Sequence, residues 1–365
     1  SAHNFGEDTI MIVSSLLFLY TGAKKMPLDP FAITPAISIN RIKLMNAPDL
    51  PESLKGKMVY ELISRKTLLH EITEALPALM AHSDPIPIFD ELIAQQDKTA
   101  LNIANTFAQR LFWLIHTLKF PHPANREARP EWDDSYWSTF AKMKQFIFGG
   151  GLMRGHLGVY MIAYAQKRLG EACLLKIAPH APILPLLGAS RHVPENTTQA
   201  LIFDFGQTAI KRAIATYVEG TLTTMTILPS ISPPLFLPQS IPQYIADNIV
   251  HIIADTWRSY ATNHTTTIIP MSIATYLQNN HPSGDPHYGS VAQLTSNMGA
   301  FLSEKISEQV QMPISIQLIH DGTSSARVYV GEPDTVVITV GTALGIGFPV
   351  YDAPLRPISE RLMIN

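Results

Sequence analysis

The sequence predicts an α/β protein with two domains. Short apolar runs, which are typical of buried strands, alternate along the chain with longer segments whose apolar residues recur at helical spacing. The length of 365 residues favours two domains. Several predicted strands end in an Asp or in glycines, and in α/β folds such strand ends lie beside the ligand cleft.

Composition excludes several classes of protein. Hydrophobic residues make up 46% of the chain and charged residues 16%, so we expect a large core. The net charge of −3, without a basic block, argues against a nucleic-acid partner. The single cysteine, Cys173, excludes an internal disulfide framework and favours a cytoplasmic setting. The apolar run at residues 10–20 is too short to span a bilayer, so we expect a buried strand or helix there and no membrane association.

The first part of the chain is poorly defined by pattern until a long helix begins. Residues 27–51 are rich in Pro and Asn and predict loop with short strands. Residues 58–76 have helical periodicity with polar interruptions, and residues 99–119 show it more sharply. The apolar stripe of this second segment consists of Ala100, Ile103, Ala104, Phe107, Leu111, Leu114, Ile115 and Leu118. The proline-rich stretch 121–137 is incompatible with a central strand.

A run of three glycines follows a clearly predicted strand. The strand at residues 145–148 leads directly into Gly149, Gly150 and Gly151, and a helix is predicted over residues 157–169. A glycine turn between strand and helix lets the backbone approach a flat or anionic ligand closely. The turn can also be purely structural, because such glycines are common in tight connections. A strand at residues 174–177 and a small-residue helix start at residues 183–190 are predicted next.

The functional prediction depends most on residues 200–220. The apolar run at residues 201–203 ends in Asp204, the following turn contains Gly206 and Thr208, and a second β-rich run covers residues 213–218. A carboxylate at a strand end can hold Mg²⁺ through water, and a Gly and a Thr offer close donors to a phosphate. An ordinary tight hairpin is the alternative interpretation.

Two further strands end in small residues. The strand at residues 313–319 is followed by His320, Asp321 and small residues, a pattern shared by a cleft-facing Asp and by an ordinary helix N-cap. Residues 334–347, DTVVITVGTALGIG, predict a buried strand that ends in a second turn able to hold phosphate. The remaining predicted elements are strands at residues 221–228 and 265–273 and helices at residues 244–257 and 291–310.

Together these turns resemble the phosphate motifs of the sugar kinase/actin/heat-shock ATPase superfamily, and most closely those of its ROK branch. The stretch DFGQT resembles the first phosphate motif, with Gln207 in place of its second Gly. Lys211 lies where such motifs often carry Lys. His320-Asp321 resembles the segment whose Asp is the catalytic base of the sugar kinases.

The second turn and the glycine run complete the resemblance. Residues 341–347, GTALGIG, resemble the second phosphate motif, with Ala343 in place of its central Gly. The predicted helix at residues 99–119, the three glycines and residues 186–189 together resemble the adenosine-side region of the family.

The order of these segments predicts a circular permutation. In the family the adenosine-side half follows the second phosphate motif, whereas here it precedes the first. Permutation is physically allowed because domain termini often lie close together. The resemblance implies two ribonuclease H-like domains with mixed sheets flanked by helices, in the architecture of actin-like ATPases and sugar kinases. The expected division is an adenosine-side domain at 1–190, a junction at 191–199, a phosphate and acceptor domain at 200–335, and a second phosphate strand and turn at 336–365 that returns to the first domain.

The resemblance implies transfer of a phosphoryl group from ATP, with Mg²⁺, to a hydroxyl of a small polar molecule, with a sugar as the expected acceptor. Asp321 would be the catalytic base and Asp204 would orient Mg²⁺ through water. The long apolar helices would suit a homodimer. The residues expected to bind the nucleotide are Asp204, Gly206, Gln207, Thr208, Lys211, Gly341, Thr342, Gly345, Gly149, Gly150 and Gly151.

Two departures from the family keep alternatives open. The Gly-Glu-x-Gly-His segment that supplies sugar contacts has no counterpart, and the zinc-binding cysteine cluster of many members cannot form from Cys173 alone. The chain could therefore be a nucleotide-binding protein of this fold with degenerate or no kinase activity. An ATPase of the actin/heat-shock type is a further alternative.

Overall fold

The computed structural model describes residues 34–233, 241–351 and 354–365. In these ranges the chain forms two mixed β-sheets flanked by helices, together with a small antiparallel sheet of Tyr276–Gln278 and His281–Ser283. The α/β class predicted from the sequence is confirmed. The apolar run at residues 10–20 lies outside the described residues. None of the helices in the described ranges has the length and apolar composition of a membrane-spanning segment.

Where the sequence predicts a helix or strand, its observed bounds are mostly within a few residues of the prediction. The strands are β1 (Gln145–Gly149), β2 (Leu174–Ile177), β3 (Gln199–Phe205), β4 (Ile210–Val218), β5 (Thr221–Ile231), β6 (Ile268–Ile273), β7 (Tyr276–Gln278), β8 (His281–Ser283), β9 (Ser315–His320), β10 (Thr335–Val340), β11 (Leu344–Gly347) and β12 (Ile358–Ile364). The α-helices are α1 (Val59–Leu62), α2 (Arg65–Ala75), α3 (Pro85–Ala94), α4 (Lys98–Lys119), α5 (Pro123–Glu127), α6 (Asp134–Lys142), α7 (Gly155–Leu169), α8 (Leu184–Ser190), α9 (Pro242–Tyr260), α10 (Met298–Val310) and α11 (Asp321–Arg327). Short 3₁₀ turns cover Pro35–Ile37, Ile39–Arg41, Glu52–Leu54, Pro77–Ala81, Gly151–Met153, Gly170–Ala172, Ala181–Ile183 and Tyr288–Gln293. Of these elements, α3, α5, α6, β7, β8 and β12 were not predicted. The described part of residues 27–51 forms 3₁₀ turns and not the short strands that were expected.

Local capping decides where two of the predicted helical segments begin. The segment at residues 58–76 is divided into α1 and α2, because the Ser64 side chain accepts a hydrogen bond from Thr67 N and starts a new helix. The prediction of one helix over residues 291–310 is wrong at its start. Asn297 caps α10 by accepting a hydrogen bond from Ala300 N at 3.0 Å, so the preceding residues form only a 3₁₀ turn.

The four-stranded sheet has the order β11-β10-β1-β2. Strand β1 is parallel to both β10 and β2, whereas β11 is antiparallel to β10. Gly149 at the end of β1 is in register with Thr339 near the end of β10. The glycine run that follows β1 therefore lies beside the turn that follows β10. The long helix α4 is confirmed, and its predicted apolar stripe is buried in the core of this half.

The six-stranded sheet has the order β12-β5-β4-β3-β6-β9. Strands β3, β4 and β5 are antiparallel neighbours, and β6 and β9 continue the sheet parallel to β3. The segment predicted to return to the first domain divides between the sheets. Strands β10 and β11 lie in the four-stranded sheet, but β12 pairs with β5, where Leu222 N donates to Pro357 O and Ile227 N to Asn365 O. The expectation for residues 336–365 is therefore wrong for β12, because the open edge of β5 takes it as a backbone partner.

The two sheets share one arrangement of strands. In each sheet, the first strand of a hairpin (β3 or β10) pairs antiparallel with the second (β4 or β11). On its other side it is parallel to two further strands, β6 and β9 or β1 and β2. Along the chain the hairpin precedes its parallel pair in the six-stranded sheet and follows it in the four-stranded sheet.

Two short helices cross between the sheets. Helix α8 follows β2 of the four-stranded sheet but packs on the six-stranded sheet, and α11 follows β9 of the six-stranded sheet but packs on β10 and β11. A Cβ at Gly188 would overlap the Ser324 carbonyl, so only glycine allows this approach. The Ser324 hydroxyl also donates to Pro185 O at 2.7 Å. The two halves are therefore joined through a tight helix contact.

Candidate functional site

Strand alternation places three polar side chains on one face of the six-stranded sheet. Leu201, Phe203 and Phe205 of β3 point into the core beneath α9 and α10. Asp204 lies between them in sequence and therefore points to the opposite face, towards α8 and the other sheet. In register beside it are Lys211 on β4 and Ser272 on β6.

Asp204 is a buried carboxylate whose two oxygens are both satisfied. Lys211 Nζ lies 2.9 Å from Oδ2, and Ser272 Oγ donates to Oδ1 at 3.0 Å. The Asp204 side chain is 3% exposed and that of Lys211 is 28% exposed, so the pair holds a partly exposed ammonium group on the side of the sheet that faces the other sheet. We call the region between the two sheets at Asp204 and Lys211 the cleft. Both residues were predicted from the motif. Ser272 was missed, although its place between the core residues of β6 marks it as cleft-facing.

The two turns predicted to bind phosphate meet in the structure. The first turn connects β3 to β4 and the second connects β10 to β11, so each is the hairpin turn of one sheet. The hydroxyl oxygens of Thr208 and Thr342 lie 2.6 Å apart, although 134 positions separate them in sequence. Gly206 is required by its own turn, since a Cβ there would lie 2.8 Å from Ala209 O. Gln207 lies in the same turn and is half-buried.

The second turn is held from outside by the N-terminal part of the described chain. Asn40 brackets Leu344, donating from Nδ2 to its carbonyl at 2.7 Å and accepting at Oδ1 from its N–H at 2.8 Å. Arg65 N donates to Gly341 O at 2.8 Å. Gly341 N itself donates to Ala343 O within the turn. The hydroxyl of Thr342 therefore offers a more accessible donor than the Gly341 N–H that we predicted.

Asp321 lies in the same cleft as Asp204. It is the first residue of α11, directly after β9, and its side chain is 26% exposed. Oδ1 accepts a hydrogen bond from Gly322 N at 2.7 Å and would lie 3.6 Å from a Cβ at Gly345. Burial, followed by repulsion from Asp204, raises the pKa of Asp321 to about 7. A carboxyl that titrates there can act as a general base near neutral pH.

Further polar groups surround Asp321 that motif reasoning did not find. His320 Nε2 lies 3.2 Å from Asp321 Oδ1, and the Tyr276 ring stacks on the His320 ring at 5.3 Å between centroids. Asp285 accepts hydrogen bonds from backbone N–H groups of its own loop, and burial raises the pKa of its carboxyl. The Tyr288 hydroxyl donates to Gly206 O at 3.1 Å and fixes the first turn.

The three glycines differ in what they contact. A Cβ at Gly149 would lie 2.7 Å from Leu184 Cδ2, and one at Gly150 would overlap the Val340 backbone. Packing against backbone therefore explains Gly150, whereas at Gly149 the close atom is the end of a flexible leucine side chain. A Cβ at Gly151 would meet nothing within 4 Å, so this residue borders open space.

The helix after the glycines does not present a free N-terminus. The Asp90 carboxylate of α3 accepts hydrogen bonds from His156 N at 3.0 Å and Leu157 N at 2.8 Å. These N–H groups are the donors that an anion at the start of α7 would need. Of the three glycines after β1, Gly151 is thus the most open to a ligand.

The cleft contains two carboxylates, Asp204 and Asp321, close enough for their charges to interact. No cluster of three or more His, Cys, Asp or Glu side chains within the described ranges is arranged to hold a metal ion directly. Mg²⁺ keeps several waters and is usually bound by one or two carboxylates together with phosphates. Both oxygens of Asp204 already accept from Lys211 and Ser272, and the expected contact of Asp204 with Mg²⁺ through water stays a prediction.

Comparisons with known proteins leave the family of this chain open. Neither a scan against protein-family models nor a search of curated proteins finds a match. The interpretation of function therefore depends on the two turns and the strand ends described above.

Proposed function

We propose that the chain binds ATP–Mg²⁺ in the cleft between its two sheets and transfers the γ-phosphoryl group to a hydroxyl of a small polar molecule. A sugar is the acceptor that we expect. The observation that carries the proposal is the 2.6 Å contact between the Thr208 and Thr342 hydroxyls. It brings together two turns that were selected from sequence as phosphate motifs, with Asp204 and Asp321 in the same cleft.

The strand arrangement supports the proposed architecture. Both sheets have a hairpin whose first strand is extended on its other side by two parallel strands. Such a repeated arrangement is compatible with two ribonuclease H-like domains. The reversed chain order in the four-stranded sheet is what a circular permutation would produce, because only spatial proximity matters to the site.

In the proposed mechanism the protein supplies charge and orientation. Phosphoryl transfer needs positioning and charge neutralisation more than covalent chemistry from the enzyme. Lys211, held by Asp204, neutralises negative charge on the phosphates, and the hydroxyls of Thr208 and Thr342 donate to phosphate oxygens. Mg²⁺, when bound, would screen the phosphate charges. Asp321 accepts the proton of the attacking hydroxyl at Oδ2, because Oδ1 already accepts from Gly322 N.

The Asp321→Asn substitution tests the proposal. We expect the variant to lose turnover by about 10²–10⁴-fold while its affinity for ATP–Mg²⁺ stays close to that of the wild type, because the amide cannot accept the proton. A coupled ADP assay across a sugar library measures turnover, and calorimetry measures nucleotide binding. The matched control is Asp334→Asn, since that carboxylate is exposed beside Lys144 and lies outside the cleft.

Other outcomes would separate the alternatives. Equal loss of turnover and nucleotide binding in Asp321→Asn would reject the base role. Wild-type protein that binds ATP without transferring phosphate to any acceptor would favour the degenerate nucleotide-binding protein. ADP production without an acceptor would favour an ATPase.

A further inference from the structure

His320 is a buried histidine to which the mechanism above gives no role. It is the last residue of β9 and is 5% exposed. Its Nδ1 accepts a hydrogen bond from Thr323 N at 3.3 Å, so the ring caps α11. Histidine is not among the favoured N-cap residues, which are Asn, Asp, Ser and Thr. Capping alone therefore does not explain a histidine here.

The cap contact determines which ring nitrogen carries the proton. Burial lowers the pKa of His320 to about 4, so the ring is neutral at neutral pH. A neutral imidazole has one donor nitrogen and one acceptor nitrogen. Because Nδ1 accepts from Thr323, Nε2 carries the hydrogen. That nitrogen lies 3.2 Å from Asp321 Oδ1.

The ring is also fixed in orientation. The Tyr276 ring stacks on it with an interplanar angle of 16°. Tyr276 is partly buried and packs against the core that includes the N-terminal part of the described chain. The imidazole therefore has little freedom to turn Nε2 away from Asp321.

We propose that His320 is a positioning residue that holds Asp321 so that Oδ2 faces the acceptor hydroxyl. Oδ1 accepts a hydrogen bond from Gly322 N and lies 3.2 Å from His320 Nε2, which is close enough for a hydrogen bond but is not aligned as one, and no hydrogen bond to Oδ2 is found within the described part of the chain. Contacts of this kind are often long before substrate binds and shorten in the reactive complex. This inference rests on the proposed function, since it names the oxygen that takes the proton.

His320→Asn separates positioning from capping. The Asn side-chain oxygen can replace Nδ1 as the cap, but no group reaches the position of Nε2. We expect kcat to fall about 10- to 100-fold, with the KM for ATP and the melting temperature close to wild type. We also expect the acidic limb of kcat/KM to move to higher pH by about one pH unit, because the variant lacks a donor that favours the ionised carboxylate.

The other charges around Asp321 stay constant in this comparison. They are Asp204 on β3, Lys211 on β4, Asp285 after β8 and Tyr276 on β7. The companion variant is His320→Gln, whose amide nitrogen can reach the position of Nε2. It should recover part of the lost kcat, although it caps α11 less well.

One measurement decides the inference independently of activity. Carboxyl ¹³C NMR, assigned with Asp321→Asn, follows the titration of Asp321 directly in the wild type and both variants. A higher apparent pKa in His320→Asn supports positioning even if the wild type transfers no phosphate, in which case only the proposed function fails. Two results for His320→Asn would overturn the inference: an unchanged titration of Asp321, or a lowered melting temperature with wild-type kcat and pH profile. Either would mean that His320 acts only as the cap of α11.

Discussion

Asp321 is a site carboxyl whose pKa is raised to near neutral pH. Burial and the neighbouring Asp204 both disfavour its ionised form, and the attraction of Lys211 offsets this only in part. The pKa of about 7 therefore means that the folded protein holds a proton that the unfolded chain has already released. A group of this kind lowers stability as it ionises, which is a common property of functional sites.

The stability of Asp321→Asn should depend on pH in a defined direction. An acid whose folded pKa is raised loses stability as the pH rises from about 4, its unfolded value, to about 7, and no further loss occurs above that range. Asn does not titrate, so the melting temperature of the variant should rise relative to wild type over this window, by about 2 °C or more. Differential scanning calorimetry between pH 4 and 8.5 measures it. A constant difference across the window would contradict the raised pKa.

Lys211 and Asp204 should behave as a coupled pair. Lys211→Met leaves the Asp204 carboxylate, which is 3% exposed, without its cation, and we expect a loss of about 3 kcal/mol in the free energy of unfolding. The double variant Asp204→Asn/Lys211→Met removes both charges and should be less destabilised than the sum of the single variants. Denaturant unfolding of all four proteins completes the cycle. Additive losses would mean that the ion pair contributes nothing to the fold.

At the scale of elements, packing accounts for part of the glycine run after β1, and its contact with a ligand stays a prediction. Gly150 has φ +92° and lies against the backbone of Val340, the residue that precedes the turn between β10 and β11. Its conformation and its contact both favour glycine. Gly151 faces open space. Gly149 and Gly150 form the start of the turn that places Gly151 at the surface.

Gly150→Ala and Gly151→Ala form a matched pair. The first should destabilise the protein by about 2 kcal/mol or more, because an alanine there combines an unfavourable φ with overlap against Val340. The second should leave the melting temperature nearly unchanged. If adenosine lies against Gly151, this second variant should weaken ATP binding several-fold in calorimetry. Unchanged affinity would remove the glycine run from the nucleotide site.

Elements with local signals were predictable from sequence, whereas the contacts that complete the site were not. Helix α4 and the β3–β4 hairpin follow directly from apolar periodicity and turn residues. Asn40 lies 304 positions from Leu344, and Asp90 lies 66 positions from His156. No spacing rule connects such pairs, because the sheet topology brings them together. Ser272 is an intermediate case. Alternation along β6 predicts which face of the sheet its side chain occupies, but only the pairing of β6 with β3 shows that Asp204 lies beside it.

At the scale of the whole molecule, the site depends on two hairpin turns from different sheets facing each other. Helices α8 and α11 cross between the sheets and fix their relative position through the contact of Gly188 with Ser324. The chain order of the four-stranded sheet is reversed relative to the other, yet the turns are placed equivalently. The two hairpin turns therefore meet because the two sheets pack against each other, and their meeting does not depend on the order in which the strands occur along the chain.

A disulfide between the two turns would test this arrangement directly. In a Cys173→Ala background, Thr208→Cys/Thr342→Cys should form an internal disulfide under mild oxidation, since the native hydroxyl oxygens lie 2.6 Å apart and disulfides need close Cβ atoms. ATP–Mg²⁺ bound between the turns should slow the reaction at least about 10-fold, as expected for near-saturating ligand. Mass spectrometry of the non-reduced protein follows the yield, and the single-cysteine variants provide the controls. Failure to cross-link would mean that the turns do not meet in solution, and cross-linking at the same rate with nucleotide would mean that the triphosphate does not enter between them.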